Sequence, residues 1–336
     1  MRGVRQTVLV APDSFKGTFD APAVAAAIGD GLADGGRSVD LCPLADGGEG
    51  TAEALREALG GERVAAPAHD PLGREIEASF VLAPQDGRGT LAFVDTAAAS
   101  GLDLVAEAER DAWAADTAGT GELLVAAAAA GARTVYLGVG GSATTDGGAG
   151  ALRAIERAGG LPAGTRLLVL CDVRTPYEDA ARVFGPQKGA DPELVRRLTR
   201  RLHERARGLA RGGRDPRGEP MTGAAGGLSG ALWARCGAEL VPGAGFVLDA
   251  VGFDARMRAA RCVITGEGCL DESSLVGKLV SEVATRARQG GVPCHVVCGT
   301  RRLDAMGARV LDLERILEAT TLDELREAGR TLAAVV

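Results

Sequence analysis

The stretch TVYLGVGGSATTDGGAGALRAIERAGG (134–160) carries the pattern that decides the fold. Residues 134–141 are rich in β-branched and apolar side chains and predict a buried strand. Residues 146–160 predict a helix that ends at a pair of glycines. The glycines between them allow backbone N–H groups to approach a ligand closely, because glycine tolerates positive φ. A strand that leads through such a loop into a helix is typical of α/β proteins that bind anions.

The same alternation of strand and helix continues towards both ends of the chain. Strands are predicted at 7–13, 37–48, 74–82, 90–95, 134–141, 167–172, 261–268 and 293–300. Helices are predicted at 20–36, 49–61, 120–132, 146–160, 192–213, 278–291 and 322–336. Strands that alternate with helices form βαβ units, so we expect the α/β class with largely parallel sheets. The pair 74–82 and 90–95, around a GRG turn at 87–89, has instead the pattern of antiparallel strands.

Composition narrows the class of protein. The 336 residues suggest two domains, and a net charge of -7 offers no general attraction to nucleic acid or to an anionic membrane. Seven scattered cysteines without a CxxC pair argue against a disulfide scaffold or a zinc site, and favour a reducing compartment. Neither a signal peptide nor a run of about 20 apolar residues is evident. We therefore expect a cytoplasmic protein.

Lysine is almost absent: the chain has three lysines against thirty-five arginines, and no asparagine. Each lysine lies beside glycine, in APDSFKG (Lys16), FGPQKGA (Lys188) and SLVGK (Lys278). Arginine replaces lysine easily on a surface, but less easily where a compact ammonium group must reach a phosphate or a carboxylate. The three lysines are thus candidate anion contacts, although chance could also have left them in place.

Carboxylates follow several of the predicted strands. They are Asp13, Asp46, Glu49, Asp146, Asp172, Glu267 and Asp271. Ligands of parallel sheets bind beyond the carboxyl ends of the strands, so these groups should converge on one cleft. With lysines and glycine loops they suit phosphoryl transfer, in which N–H groups and lysines hold a triphosphate, carboxylates hold Mg²⁺ and an aspartate takes the hydroxyl proton.

Other reaction classes are disfavoured. The chain has no GxxxxGK[ST] motif, and it has no GxGxxG motif followed by an acidic residue for a ribose, so a P-loop NTPase is excluded and nicotinamide binding is weakly supported. Of its three histidines, His203 is expected on a solvated basic helix face and His295 inside a strand. A Ser–His–Asp hydrolase is therefore not indicated.

The ordered motifs APDSFKG, ADGGEGT, AAASGL, TAGTGEL, GVGGSATTDGGAG, CDV, FGPQKGA, GAAGGL, ITGEG and a final GK resemble those of the type I glycerate kinases over nearly the whole chain. The resemblance implies an ATP- and Mg²⁺-dependent enzyme that phosphorylates glycerate to 2-phosphoglycerate. It also implies a Rossmann-like parallel-sheet domain built from both chain ends, here 1–69 and 250–336, with an inserted mixed α/β domain at 70–249. The active site is expected in the interdomain cleft, and the enzyme could form a homodimer.

Residue roles follow from the matching motifs. Asp13 and Ser14 are expected to bind substrate, with Lys16 on its carboxylate or on a phosphate. Asp46, Gly47, Gly48 and Glu49 are expected to orient glycerate or metal. The phosphate cradle is assigned to Gly140, Gly141, Ser142, Thr144, Thr145 and Asp146. Asp172 is the expected general base, Lys188 and Lys278 offset phosphate charge, and Glu267 and Asp271 reach Mg²⁺. Asp13, Asp46 and Asp271 could instead cap helices or turns.

Two stretches depart from the family pattern, and both adjoin Asp172. Only GGLPAGTR (159–166) precedes the strand 167–172, where the family carries a longer segment. After CDV (171–173), where the family tends to have TNPL and a glycine-bearing loop, the chain reads RTPYEDAARVF (174–184). We therefore expect a more open acceptor pocket.

Two other functions stay open. One is a kinase of the same fold that acts on another small hydroxy acid or on a biosynthetic intermediate. The other is a non-catalytic ligand-binding homologue, against which the retention of all three lysines argues.

Overall fold

The computed structural model describes residues 7–85, 89–275 and 277–336, so residues 87 and 88 of the predicted GRG turn lie outside it. The strands are β1 (Val8–Val10), β2 (Val39–Leu41), β3 (Glu62–His69), β4 (Glu75–Gln85), β5 (Gly89–Asp95), β6 (Ala132–Gly138), β7 (Arg166–Leu170), β8 (Glu239–Val241), β9 (Cys262–Leu270), β10 (Cys294–Arg301) and β11 (Leu313–Glu318). The helices are α1 (Ala21–Asp34), α2 (Thr51–Leu59), α3 (Ala97–Ser100), α4 (Ala118–Ala129), α5 (Ala149–Arg157), α6 (Ala180–Phe184), α7 (Pro192–Arg211), α8 (Ala224–Arg235), α9 (Gly243–Ala250), α10 (Phe253–Ala259), α11 (Leu279–Gly290), α12 (Ala305–Val310) and α13 (Leu322–Ala333).

The chain divides into two compact units. The first combines Met1–Asp46 with Ala244–Val336, and the second is the continuous segment Gly47–Gly243. Because β3 pairs with β4, its residues belong to the sheet of the second unit. The domain bounds predicted from the sequence, after residue 69 and before residue 250, stay a prediction.

A five-stranded parallel sheet forms the centre of the first unit, in the order β11-β10-β9-β1-β2. Val8 of β1 lies beside Val39 of β2 on one side and Cys262 of β9 on the other. The sheet therefore joins the two ends of the chain. The predicted fold class, with a Rossmann-like unit made from both chain ends, is confirmed.

Side chains of β1 alternate between the two faces of this sheet, as the pleat requires. Val8 and Val10 pack into a buried cluster with α1 and α13. Leu9 packs into a second cluster with α9, α10 and α11. Because both faces are covered by helices, the strands can be apolar throughout, which explains the continuous run VLV.

The order of the strands reverses between β1 and β9. From β1 the chain continues through α1 to β2, whereas from β9 it continues through α11 to β10 and then β11, on the opposite side. The connections leave in opposite directions at the carboxyl ends of β1 and β9. Such a switch point leaves a crevice, and ligands of open parallel sheets bind there.

The second unit contains a six-stranded mixed sheet in the order β3-β4-β5-β6-β7-β8. The pairs β3–β4 and β4–β5 are antiparallel, and the pairs from β5 to β8 are parallel. The predicted antiparallel pair around residues 87–89 is confirmed by the pairing of β4 with β5. None of the helices in the described part of the chain is long and apolar enough to cross a membrane.

Candidate active site

A cavity of about 360 Å³ lies at the switch point of the first unit. Its wall includes residues that follow β1, the end of β9 and the start of α11. Sequence-predicted site residues in its lining are Asp13, Ser14, Lys16, Asp46, Glu267 and Lys278. Of the seven strand-end carboxylates predicted to converge on one cleft, three line this cavity together with two of the lysines. The roles assigned to these residues remain predictions.

The segment after β1 is fixed by its backbone. The Asp13 N–H donates to the Gly266 carbonyl at 2.9 Å, which holds the segment against β9. The Asp13 carboxylate accepts from the Ser14 N–H at 2.7 Å. A tight turn then exposes Lys16, whose side chain is 64% accessible and whose Nζ lies 3.0 Å from Asp46 Oδ2. The first strand thereby presents a buried carboxyl and an ammonium group to the same cavity.

Burial and neighbouring charges shift the pKa values of the ionisable groups in this cavity. Burial raises the pKa of Asp13 to about 8; repulsion by Asp46 adds to this rise, and Lys16 opposes it. The Asp46 carboxylate raises the pKa of Lys16. Burial also raises the pKa of Glu267, whose Oε2 lies 3.9 Å from Lys278 Nζ. Three carboxyl groups therefore face two ammonium groups here.

Glu267 has the chemistry of a Mg²⁺ ligand. Ser274 forms a hydrogen bond with the Glu267 carboxyl group, but Oε1 is buried and has no hydrogen-bond partner among the described residues, a cost that either protonation or a bound cation removes. The described ranges contain no group of three His, Cys, Asp or Glu side chains placed to hold a metal. Magnesium commonly takes one or two carboxylates and completes its shell with water and substrate phosphates. The cavity therefore fits a metal that arrives with a nucleotide.

Asp271 lies outside the cavity lining. Its carboxylate accepts hydrogen bonds from the Ser273 backbone N–H at 2.8 Å and from the Ser273 hydroxyl. These bonds lower the pKa of Asp271 and cap the 3-10 turn Glu272–Leu275. Of the two roles open from the sequence, the contacts favour the cap.

The glycine-rich loop after β6 lies in the second unit, against the turn that precedes α2. A Cβ atom at Gly140 would lie 2.6 Å from the Gly48 Cα, and one at Gly141 would lie 2.9 Å from Glu49 Oε2. Gly141 also has φ +65°, which disfavours other residues. The structure therefore brings together two predicted segments, Gly47–Gly48–Glu49 and Gly140–Gly141.

Farther along this loop the predicted cradle residues turn inward. Thr144 and Thr145 are fully buried, and Ser142 is 8% exposed. Asp146 accepts from the backbone N–H groups of Thr117, Gly148 and Gly150 and from the Thr117 hydroxyl. These donors lie in the turns that begin α4 and α5, so Asp146 ties the two helix starts together and shapes the loop from within.

Lys188 also lies inside the second unit. Its side chain is buried, and its Nζ donates to Ser142 Oγ at 3.0 Å and to the Thr144 carbonyl at 2.5 Å. Burial lowers the pKa of Lys188 to about 7. Of the three lysines, two line the cavity of the first unit and this one supports the loop of the second.

Asp172 follows β7 and is half-buried. Its Oδ1 accepts from the Gly243 N–H at 2.7 Å, at the start of α9. That bond orients the carboxylate, and the general-base role assigned to Asp172 remains a prediction.

Sequence reasoning missed Asp95, at the end of β5. Its carboxylate accepts from the Gly50 N–H at 3.0 Å and the Ala52 N–H at 3.1 Å, and so caps α2 beside the Gly47–Glu49 turn. Burial raises the pKa of Asp95 to about 7. The signal was present, because Asp95 ends a predicted strand just as Asp13 and Asp172 follow theirs.

Comparison with known proteins finds one family model that matches most of the chain, together with individual relatives of similar length. The model of the glycerate kinase family matches residues 8–159 and 157–331. A glycerate kinase of Halalkalibacterium halodurans is 37% identical, over 97% of this chain and 95% of that protein. A glycerate 2-kinase of Escherichia coli K12 is 36% identical, over 96% of this chain and 93% of that protein.

A solved structure also matches. It comes from Salmonella typhimurium LT2, is provisionally named glycerate kinase 2, and superposes with a TM-score of 0.79 at 35% identity. The match covers 98% of each chain.

Proposed function

Because the chain belongs to the glycerate kinase family, we propose that it transfers the γ-phosphoryl group of ATP to the 2-hydroxyl of glycerate, giving 2-phosphoglycerate. One observation carries the assignment to this chain's own residues. A cavity at the switch point of a parallel sheet holds Asp13, Asp46 and Glu267 with Lys16 and Lys278. Phosphoryl transfer depends on such positioned cations and carboxylates more than on covalent chemistry by the protein.

We assign the acceptor to Asp13, Ser14, Lys16 and Asp46. Glycerate carries one carboxylate and two hydroxyl groups. The exposed ammonium group of Lys16 suits the carboxylate, and the Asp13 and Asp46 oxygens suit the hydroxyl protons. Gly47, Gly48 and Glu49 stay proposed for orienting glycerate or metal.

We assign the nucleotide phosphates to the loop Gly140–Ser142, with Thr144, Thr145 and Asp146 as its buried support. The glycines let this loop pack directly against the Gly48–Glu49 turn, and backbone N–H groups of glycine-rich loops are common phosphate ligands. Lys278 supplies positive charge at the phosphates and Lys188 supplies it from behind the loop, while Glu267 is the proposed magnesium ligand, with Asp271 retained only as a second candidate. A bound Mg²⁺ supplies neutralisation of charge on the transferring phosphoryl group.

Asp172 is the proposed general base, and Asp13 is the alternative. Asp13 has a specific observation in its favour, because a carboxyl whose pKa is near 8 is a stronger base than an ordinary aspartate. Asp172→Asn and Asp13→Asn keep the shape but remove the proton acceptor. The base is the residue whose variant loses kcat while ATP binding persists.

Phosphorus NMR tests the product directly. Purified protein incubated with Mg²⁺, ATP and D-glycerate should yield the 2-phosphate. A clean 3-phosphate would overturn the regiochemistry, and the absence of any product would overturn the function.

The second candidate is a same-fold kinase with a broader acceptor range. The short segment 159–166 and the unusual residues 174–184 both adjoin Asp172 and favour a more open pocket. Measuring kcat/KM for glycerate beside tartronate and erythronate tests it, because strict preference for glycerate would rule out the open pocket. A protein that binds ATP but phosphorylates no hydroxy acid would instead be a non-catalytic homologue.

A further inference from the structure

The loop 142–147 is held from inside the second unit through its backbone carbonyls. The contacts are Lys188 Nζ to Thr144 O at 2.5 Å, Arg201 Nη2 to Thr145 O at 2.8 Å, and Tyr177 Oη to Gly147 O at 2.9 Å. A trans peptide group directs its N–H away from its C=O. Drawing these carbonyls inward therefore turns their partial negative charge away from the other side of the loop, where an anion is then not repelled.

Lys188 is the most constrained member of this group. It ends the 3-10 turn Pro186–Lys188 and is 2% exposed. Its second bond, to Ser142 Oγ at 3.0 Å, ties the amine to the side chain nearest the exposed Gly141. Both acceptors are neutral oxygens, so neither supplies a countercharge. A buried amine committed to the loop in this way has no path to a ligand of its own.

We propose that Lys188 is a positioning residue, which holds Ser142 and the loop carbonyls in the arrangement that accepts nucleotide phosphates without itself touching the nucleotide. This inference rests on the proposed function, because it takes the loop as the phosphate site. It differs from a direct role of Lys188 on the phosphates, which the sequence alone suggested.

The surroundings of Lys188 give the proposal a pH signature. The charged groups that face it are Asp146 from the loop, and Arg110 and Asp111, which line the small space beside its side chain. Burial lowers the pKa of Lys188 to about 7, and Asp146 opposes that shift. An anion beyond Ser142 favours the ammonium form, so anion binding draws a proton onto Lys188 when the pH is near or above neutral. Affinity for the anion should therefore fall as the pH rises above about 7.

Titration calorimetry with inorganic triphosphate on the full chain tests this signature. Between about pH 6 and pH 8.5 the wild-type affinity should fall by up to about tenfold per unit above pH 7, beyond the change due to the probe's own titration. That change is common to all variants and cancels in their ratios. Lys188→Met should bind about tenfold more weakly at the acidic end and lose the added slope. Lys188→Gln keeps donors but no charge, so it should also lose the slope.

Hydrogen exchange of residues 142–148 in the ligand-free protein separates positioning from direct contact. Lys188→Met and Tyr177→Phe should exchange faster there than wild type, and Lys188→Gln should stay closer to wild type. Tyr177→Phe should weaken triphosphate binding but keep the pH slope, because Lys188 is intact. If Lys188→Met does not fold, the other two variants still decide the question.

Several results would overturn the proposal. Hydrogen exchange of residues 142–148 that is unchanged in every variant would do so. So would a pH dependence of triphosphate affinity that persists in Lys188→Gln, or failure of the wild type to bind triphosphate. A protein that behaves as expected here but does not phosphorylate glycerate would refute the proposed function alone, since these readouts do not depend on turnover.

Discussion

At the scale of single residues, the raised pKa of Asp13 affects the stability of the fold as well as the chemistry of the cavity. Burial raises the pKa of this carboxyl to about 8, whereas an unfolded aspartate titrates near 3.9. Between these values the folded state binds more protons than the unfolded state. The free energy of unfolding therefore decreases as the pH rises from about 4 to about 8. A buried carboxyl of this kind weakens the resting fold at neutral pH.

Asp13→Asn should remove this dependence. The variant should gain stability relative to wild type as the pH rises, by on the order of 1 kcal/mol or more at pH 8. Urea unfolding at several pH values measures the difference. Asp34→Asn is the control, because hydrogen bonds from Arg326 and Arg330 lower the pKa of Asp34, and its effect should stay constant above about pH 5. A pH-independent difference for Asp13→Asn would contradict the prediction.

The lysines of the cavity should resist conservative replacement. Lys16→Arg and Lys278→Arg should each lower kcat/KM for glycerate by about tenfold, or about 1.4 kcal/mol of transition-state stabilisation, because a planar fork replaces a compact cation. The matched control is Arg166→Lys, at an exposed pair in which Arg166 lies 2.9 Å from Glu239. Its kinetics should equal those of wild type. Wild-type kinetics in both cavity variants would mean that their place in the cavity is incidental.

The structure places two of the three lysines in the cavity of the first unit and the third inside the second unit. The rarity of lysine indicated that all three matter, and Lys16 and Lys278 do lie in the cavity. Nothing in FGPQKGA distinguishes a lysine that faces a ligand from one that faces a carbonyl, because burial depends on how residues 177–211 pack against the loop. The sequence placed Asp146 in the phosphate cradle and could not show its inward-facing contacts, because two of its four donors belong to Thr117, far away in the sequence.

At the scale of elements, the packing of α1 on α13 depends on two glycines. A Cβ atom at Gly31 would collide with the Arg326 carbonyl, and one at Gly329 with the Ile28 carbonyl. The helices can approach this closely only where both lack a side chain. This explains why residues that weaken isolated helices occur in the middle of each.

Gly31→Ala and Gly329→Ala should therefore destabilise the protein by about 1–3 kcal/mol, as overpacking forces the helices apart. Gly208→Ala on α7 is the matched control, because its Cβ would meet no atom within 4 Å. It should stabilise by about 0.5–1 kcal/mol through helix propensity alone. Denaturant midpoints measure all three. Equal effects in the three variants would show that propensity, and not the close approach, governs these sites.

Periodicity predicted the central elements well and the outer ones poorly. The predicted strand 134–141 and helix 146–160 correspond to β6 and α5, because a doubly covered strand and a one-sided helix have clear patterns. The strands β3, β8 and β11 were missed. All three lie at sheet edges and are largely exposed or half-buried, so none has a continuous buried run. Apolar periodicity in a sequence indicates which residues are buried, and edge strands have few buried residues.

At the scale of the whole molecule, the two units have separate cores. The clusters that contain β1 and β9 draw only on residues 8–44 and 244–336. The clusters that contain β6 and α7 draw only on residues 64–240. Local patterns could not show that β1 pairs with β9, because more than 250 residues separate Val8 from Cys262 in the chain. The resemblance to a family supplied that pairing, and periodicity did not.

The continuous unit should fold without the rest of the chain. A fragment of residues 47–243 retains both of its hydrophobic clusters and all six strands of its sheet. Its length lies within the usual range for a single domain. We expect a cooperative urea transition and the near-ultraviolet circular dichroism of fixed packing around Tyr136, which stacks on Phe93 at 5.2 Å.

The matched control is a fragment that stops before β8, at residue 213. It lacks α8 as well, so Leu228 and Leu232 no longer fill the core beside Val169. It should lose cooperativity and bind dyes that report exposed apolar surface, as partly packed states do. If the complete fragment behaves like the truncated one, the second unit is stable only with the first. In that case the compact units are not independent folding domains, and the cooperative unit is the entire chain.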